Sequence, residues 1–272
     1  MNTQIYTQQE ANLHTHSFYC GHGSGQIREY VRQAHRSGVR LLGFSEHCPF
    51  ADERYRPTRM AFSQISAYEA DVKEQQTGSD VRVLLGYECD YHRAYHHYLV
   101  DTAARTDYLI GGVHYLNRSD EADDLLLSRP LEGRDLGRYA DRYCQMLQSG
   151  LFLYAVHPDA FTYSYHRWDG EAQAISRAII ECAIQVGVAL EINGYGLQKR
   201  VVPTAGGFSH AYPHPLFWAI AAEFPALLSG CSSDAHWPGD VAYGITETGA
   251  IAHRNGLRLA TYHVEGNTVT LK

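Results

Sequence analysis

The 272-residue sequence contains no apolar run approaching the roughly 20 residues that a membrane-spanning helix needs. Its first residues, Met1-Asn2-Thr3-Gln4, offer no basic stretch leading into an apolar one, so no export signal is expected. Cysteine is sparse, and none of the six (Cys20, Cys48, Cys89, Cys144, Cys182, Cys231) stands at zinc-knuckle or redox spacing from another. They read as separate, reduced thiols of a cytoplasmic protein. Positive charge is also short: 23 Lys and Arg against 30 Asp and Glu leave a formal net charge of −7. That balance weighs against binding to nucleic-acid phosphates. It leaves a small anionic substrate open, because metal ions can place strong positive charge inside an acidic protein. No linker, low-complexity tract or charge block interrupts the chain, so residues 1–272 are expected to form one domain; the oligomeric state is not legible.

Short apolar runs alternate with longer amphipathic ones. Strands are expected over 11–14, 40–44, 82–87, 108–113, 152–156, 188–192 and 227–231. Val83-Leu84-Leu85 and Tyr108-Leu109-Ile110 have the unbroken apolar character of parallel strands buried on both faces. Helices are expected over 25–37, 63–76, 94–104, 135–148, 172–186 and 214–223, with Gly38, Gly150 and Gly187 as stops. The tail near 258–271 suits a short strand pair. Repeated strand-then-helix units specify a parallel α/β barrel or an open doubly wound sheet.

Histidine and tyrosine, in contrast, are abundant, at 16 and 20. Nearly every expected strand runs directly into a histidine or an acid. Leu13 precedes His14 and His16, Phe44-Ser45 precedes Glu46-His47, and Gly86-Tyr87 precedes Glu88. Val113 leads to His114, Val156 to His157, Leu190 to Glu191, and Ser232-Ser233 to Asp234 and His236. In a barrel all of these strand ends meet on one face, whereas an open sheet gathers its site from a few strands at a switch point. The barrel is therefore expected. His14-x-His16 and Asp234-x-His236 each put two potential ligands on one side of a strand. His22 lies among Gly21, Gly23 and Gly25, where the backbone can bend back. Seven imidazoles and two acids at matching positions would be costly to bury unless they shared a cation, and neutral imidazole and carboxylate suit divalent metals.

These residues carry a resemblance to a known family. His14-Thr15-His16 with Cys20-Gly21-His22-Gly23, Phe44-Ser45-Glu46-His47, Gly86-Tyr87-Glu88-Cys89-Asp90-Tyr91, Gly112-Val113-His114, Val156-His157-Pro158-Asp159, Glu191-Ile192-Asn193 and Ser233-Asp234-Ala235-His236 agree in order and spacing with the PHP (polymerase and histidinol phosphatase) family. The resemblance extends over nearly the whole chain. It implies a distorted (β/α)7 TIM-like barrel and three divalent metal ions (zinc, manganese and/or iron) at the C-terminal ends of the strands. By this analogy His14, His16, Glu88 and Asp234 hold one ion, Glu88 bridges to a second held by His114 and His157, and His22, His47 and His236 hold the third. Glu46-His47-Cys48-Pro49-Phe50, Glu88-Cys89-Asp90-Tyr91, Asn193-Gly194-Tyr195-Gly196-Leu197-Gln198-Lys199 and Tyr212-Pro213-His214-Pro215 look most similar to the histidinol-phosphatase branch. That branch implies hydrolysis of L-histidinol phosphate, a step of histidine biosynthesis.

Hydrolysis of a small phosphate monoester suits such a centre, with water activated by metal attacking phosphorus in line. Glu88 and Asp234 are the expected catalytic carboxylates, Asp234 as donor of a proton to the leaving alkoxide. Arg167, Arg200 and Lys199 are the expected phosphate-binding cations, and Tyr91 and Tyr115 the expected pocket walls, with Tyr195 a further candidate. Glu191, Asn193 and Glu46 are expected to orient ligands. Asp159 is expected to be a turn residue; His92, His96 and His97 fall at a helix start, and His35, His166, His210, His214, His253 and His263 on the surface or in packing. Another phosphate ester, a cyclic phosphate or phosphotyrosine remains open as substrate, as do a nuclease and a non-catalytic metal binder.

Overall fold

A computed structural model describes residues 3–56, 58–77, 79–119, 122–204 and 207–272. Its strands are β1 (Gln4–Tyr6), β2 (Ala11–Asn12), β3 (Leu41–His47), β4 (Arg82–Asp90), β5 (Tyr108–Gly112), β6 (Tyr115–Ser119), β7 (Ala122–Leu125), β8 (Tyr154–Ala155), β9 (Ala189–Asn193), β10 (Val201–Thr204), β11 (Gly207–His210), β12 (Leu228–Ser232), β13 (Arg258–Leu259), β14 (Tyr262–Glu265) and β15 (Thr268–Leu271). The helices are α1 (Ile27–Ser37), α2 (Ile65–Gln75), α3 (His96–Arg105), α4 (Gly133–Gln148), α5 (Gly170–Val186), α6 (Pro215–Ala221) and α7 (Ile245–Arg254).

β3 is buried at every position and β4 at all but its first, as expected of parallel strands covered on both faces. One parallel sheet runs β2-β3-β4-β5-β8-β9-β12-β13. Beyond β2 the chain stays extended to Thr15, which bridges in parallel to Ala235 beyond β12. There the His16 N–H donates to the Ala235 carbonyl at 2.8 Å and the Ala235 N–H to the His14 carbonyl at 3.3 Å. Seven strands therefore close into a ring, with two-residue β13 as an eighth strand beside the start of β12. This is the distorted (β/α)7 barrel expected from the sequence.

Leu13, Leu41, Leu84, Tyr108, Ile110, Tyr154 and Val156 belong to one buried cluster with Tyr6, Tyr262, Val264 and Val269 of the antiparallel sheet β1-β14-β15. The expected tail pair is thus β14–β15, and β1 joins it to seal one end of the barrel. Tyr108 spans this interior and donates its hydroxyl to the carbonyls of Leu13 and Phe44, at 2.8 and 3.1 Å. Room for its ring comes from Gly43 and Gly86, where an added Cβ would collide with the phenol. A larger cluster fills the space between strands and helices. α1, for example, buries Ile27, Tyr30, Val31 and Ala34, a face of three-and-four spacing.

Expected and observed elements differ mainly at short or composite segments. The strand over 152–156 reduces to Tyr154–Ala155, although Leu153 and Val156 still donate to the carbonyls of Leu109 and Gly111. Helix α7 was not anticipated: Thr246, Thr248 and Gly249 are poor helix formers, and burial of Ile245, Thr248 and Ala252 overrides that preference. The hairpins β6–β7 and β10–β11 also lack a clear alternating pattern.

His214 lies in the interior, its ring stacked on Trp168 with centroids 4.6 Å apart. Burial drives its pKa down to about 4. The unfolded chain therefore binds a proton that the folded chain refuses, and stability falls as pH drops from about 6.5 to about 4, by at most about 3 kcal/mol. His214→Phe should flatten that part of the melting-temperature profile; an unchanged slope relative to wild type refutes the assignment. Gly86→Ala should lower stability by about 1–3 kcal/mol, because the Tyr108 ring must move. Equal denaturant midpoints for this variant and wild type would contradict the packing described.

Candidate metal centre

Each strand of the ring delivers polar side chains to the same rim. His14 and His16 follow β2, His47 ends β3, Glu88 and Asp90 end β4, His114 follows β5, His157 follows β8, Glu191 and Asn193 end β9, and Asp234 and His236 follow β12. His22 comes from the loop after a single helical turn, Phe18–Cys20. Two of these residues, His157 (φ 33°) and Asp234 (φ 50°), adopt left-handed backbone that non-glycine residues avoid. Such strain costs on the order of 1–3 kcal/mol and gathers where geometry serves a site.

Glu88 lies at the middle, 1% exposed. Its Oε1 is 2.9 Å from His157 Nε2 and 3.2 Å from His114 Nε2. Its Oε2 is 2.9 Å from His47 Nδ1, 3.3 Å from His16 Nε2 and 3.4 Å from His14 Nε2. Asp234 Oδ1 is 3.4 Å from His14 Nε2 and 3.3 Å from His16 Nε2. His14 Nε2, His16 Nε2, Glu88 Oε2 and Asp234 Oδ1 are all buried and make no regular hydrogen bond. Four orphaned donors and acceptors in one spot would be a heavy penalty on their own. Each of the two imidazole nitrogens is 3.3–3.4 Å from each of the two carboxylate oxygens, the spacing expected of atoms that share an ion at about 2.0–2.2 Å, the range of zinc bonds to imidazole and carboxylate. The residues thus fit a metal ion.

Other groupings surround this one. His47, Glu88 and His114 offer ligand atoms within 4.8 Å of one another, as do Cys20, His22 and His236, and also His16, His47 and His236. The Nε2 atoms of His22 and His236 are 3.1 Å apart. Several imidazoles are anchored through the nitrogen that faces away. His14 Nδ1 meets Glu191 Oε1 at 2.7 Å, His114 Nδ1 meets Asp90 Oδ2 at 3.1 Å, His236 Nδ1 meets the Asp234 carbonyl at 3.0 Å, and His22 Nδ1 meets the Cys20 carbonyl at 3.1 Å. An outer bond of this kind fixes the tautomer and aims the opposite nitrogen inward. Asn193 Nδ2 donates to Asp234 Oδ2 and Glu191 Oε2, and Glu46 Oε1 accepts from the backbone and hydroxyl of Ser17. Asp159 is buried and accepts from the His214 N–H and Trp218 Nε1.

Electrostatics divide the imidazoles. Burial pushes down His47, His22 and His236, the last to about 3, leaving them neutral. Burial opposes charge on His16 and His114 too, but for His16 the carboxylates of Asp234 and Glu88 prevail and raise it to about 9. For His114, Asp90 and Glu88 raise it to about 10. Burial works against the charge of Glu88, and the imidazolium charges of its neighbours overcome it, holding the carboxyl well below its ordinary range.

A cavity of about 450 Å³ opens on this cluster. Its polar side comprises His22, His47, Glu88, His114, His157, Asp234 and His236, with Arg59 and Lys199; Val113, Leu125, Leu126 and Ala160 make an apolar side. Tyr195 also lines it, stacked on His236 at 4.7 Å, and Lys199 Nζ rests 3.8 Å above the Tyr195 ring. Four expected pocket residues lie elsewhere. Arg167 is 71% exposed, beside Asp169 and over the Tyr165 ring. Arg200 donates to the Tyr163 carbonyl. Tyr91 places its hydroxyl 3.3 Å from His96 Nδ1, and Tyr115 stacks on Tyr55 behind the wall. Position just past a strand end does not determine which way a loop side chain turns. Arg59 and Asp90, in contrast, received no role from the sequence. Asp90 is two residues from Glu88 on the same strand, and that period of two was the available signal; Arg59 sits in an irregular loop and left none.

Residues 12–194 match the PHP domain family model. A Deinococcus radiodurans protein named "Probable histidinol-phosphatase" is 32% identical over 240 residues, covering 85% of this chain and 87% of that protein. The crystal structure of histidinol phosphate phosphatase from Lactococcus lactis, complexed with zinc, L-histidinol and phosphate, superposes with a TM-score of 0.67 over 96% of this chain and 98% of that one, at 16% identity.

Because His16 and His114 hold protons in the metal-free protein up to about pH 9 and 10, metal must displace them. Zinc binding at pH 7.5 should release protons and tighten as pH rises toward 9. Calorimetry in buffers of different ionisation enthalpy reads this directly, and heats independent of buffer would contradict it.

Proposed function

The chain belongs to the PHP domain family, and on that premise we propose that it is a metal-dependent phosphatase converting L-histidinol phosphate and water to L-histidinol and inorganic phosphate. The observation that carries the reading is the convergence of Glu88, Asp234 and seven imidazoles in one cluster, five of the imidazoles lining a single cavity. The name of the Deinococcus relative and the ligands of the Lactococcus structure supply the substrate.

We assign three divalent ions to the site, zinc, manganese or iron, since imidazole and carboxylate accept all three. His14, His16, Glu88 and Asp234 would hold the first, Glu88, His114 and His157 the second, and His22, His47 and His236 the third. Bound there, such ions supply Lewis acidity, which neutralises phosphate charge and makes water acidic enough to attack at neutral pH. Glu88 presents one oxygen to each of two histidine groups, and its buried position keeps that division fixed. Asp234 Oδ2 is held by Asn193 and its side chain lines the cavity, so the carboxylate is placed to accept a proton from the attacking water and hand it to the leaving alkoxide oxygen. Lys199 adds a cation at the wall, and Val113, Leu125, Leu126 and Ala160 receive the organic part and exclude water around it. The whole chain acts as one domain in this proposal. A cytoplasmic place belongs to the same proposal and is supported by the six free cysteines; no helix among the described residues is long and apolar enough to cross a membrane. The excess of acidic residues disfavours nucleic acid as partner.

Ranking phosphorylated compounds by kcat/KM should put L-histidinol phosphate first, above other monoesters, cyclic phosphates and phosphotyrosine. A better turnover of any of these rejects the biosynthetic assignment. Glu88→Ala should lose bound metal and on the order of 10³-fold or more in kcat/KM. Activity retained in that variant would remove the metal mechanism altogether.

A further inference from the structure

The phosphate of a monoester gains from a cation on the side away from the metals, and the two arginines expected from the sequence do not supply it. Arg167 faces solvent and Arg200 is engaged with the Tyr163 carbonyl. Arg59 is placed very differently. It is 3% exposed, yet it lines the same cavity as Glu88, His114, His157 and Asp234. Its guanidinium carbon lies 5.0 Å from the centre of the Tyr55 ring, 5.5 Å from Phe50 and 5.7 Å from Tyr115. One terminal nitrogen donates to the Cys48 carbonyl at 2.6 Å, the other to Asp90 Oδ2 at 3.0 Å. Nε has no hydrogen-bond partner among the described residues.

Burying a guanidinium carries a desolvation cost of several kcal/mol that a merely structural contact rarely recovers. Here three ring faces and one carboxylate keep the group rigid while part of its five-donor fork stays uncommitted. The loop that brings it in is itself strained, with Glu53 and Tyr55 at φ 57° and 68°. A planar fork fixed in advance on the wall of a metal-lined cavity suits two oxygens of a tetrahedral oxyanion, and little entropy remains to be lost on binding.

We propose that Arg59 is the guanidinium that grips the substrate's phosphate at this site. The assignment rests on the phosphatase reading. Through Asp90, which also holds His114, the same residue ties the grip to the metal cluster.

Titration of inorganic phosphate into the zinc-loaded protein tests this without turnover, and inhibition of p-nitrophenyl phosphate hydrolysis by phosphate gives a parallel constant. Arg59→Met keeps an apolar stem between the rings. It should weaken phosphate binding at least tenfold with metal content unchanged, and Arg59→Lys should recover part of the loss. A folded, fully metal-loaded Arg59→Met that binds phosphate within twofold of wild type overturns the proposal. So does a loss of affinity that only tracks a loss of metal, since Arg59 would then act solely through Asp90 and His114. Should Arg59→Met fail to fold, Arg59→Lys carries the test: a threefold or greater loss is expected, and unchanged affinity refutes the grip. Phosphate binding that depends on Arg59 in a protein idle toward L-histidinol phosphate would reject that substrate and leave this inference standing. Normal hydrolysis of L-histidinol phosphate with Arg59→Met unimpaired would do the reverse.

Discussion

A single buried carboxylate, that of Glu88, meets five imidazoles within 3.4 Å. No carboxylate has enough lone pairs to satisfy five ring nitrogens that also need orientation. Such crowding is tolerable only if charge is shared, either among protons, as in the metal-free protein, or among bound cations. The raised pKa values of His16 and His114 and the depressed ones of His47 and His236 express the first solution. Similar ligand spacing and orphaned lone pairs favour the second.

The scaffold around that carboxylate exists to keep the crowd in place. Parallel strands end together on one rim, and their side chains alternate, so a residue two positions beyond a ligand points the same way. Asp90 uses this geometry to hold His114, and Glu191 reaches across to His14. At the opposite end β1, β14 and β15 seal the ring with tyrosine and valine side chains. The polar rim and the apolar floor are thus two ends of the same set of strands.

The barrel was legible because long buried strands such as Val83–Leu85 announce themselves, and because ligand types recur immediately after them. The positions whose side chains converge could be read from this recurrence and from family resemblance, since strand geometry dictates where Glu88 and His16 point. Loop residues escaped the same logic. Arg167 and Arg200 follow the ends of β8 and β9 by 12 and 7 residues, and their orientation depends on Asp169 and the Tyr163 carbonyl, contacts that no local pattern encodes. Arg59 lay hidden for the converse reason: its aromatic cage is assembled from Phe50, Tyr55 and Tyr115, brought together only by the fold. α7 and the two hairpins show the same limit at the level of backbone, where packing outweighs weak intrinsic preference.

The ring closes where Thr15 meets Ala235, between the residue pairs His14–His16 and Asp234–His236. A nascent chain emerging from the ribosome therefore carries His14 and His16 some 220 residues ahead of Asp234, the carboxylate both imidazoles meet in the fold. Until the segment after β12 has been synthesised and docked, His14 and His16 have no Asp234 to complete their set. The meeting of these imidazoles with that carboxylate is thus an event of late maturation, and it reports on the integrity of everything between them.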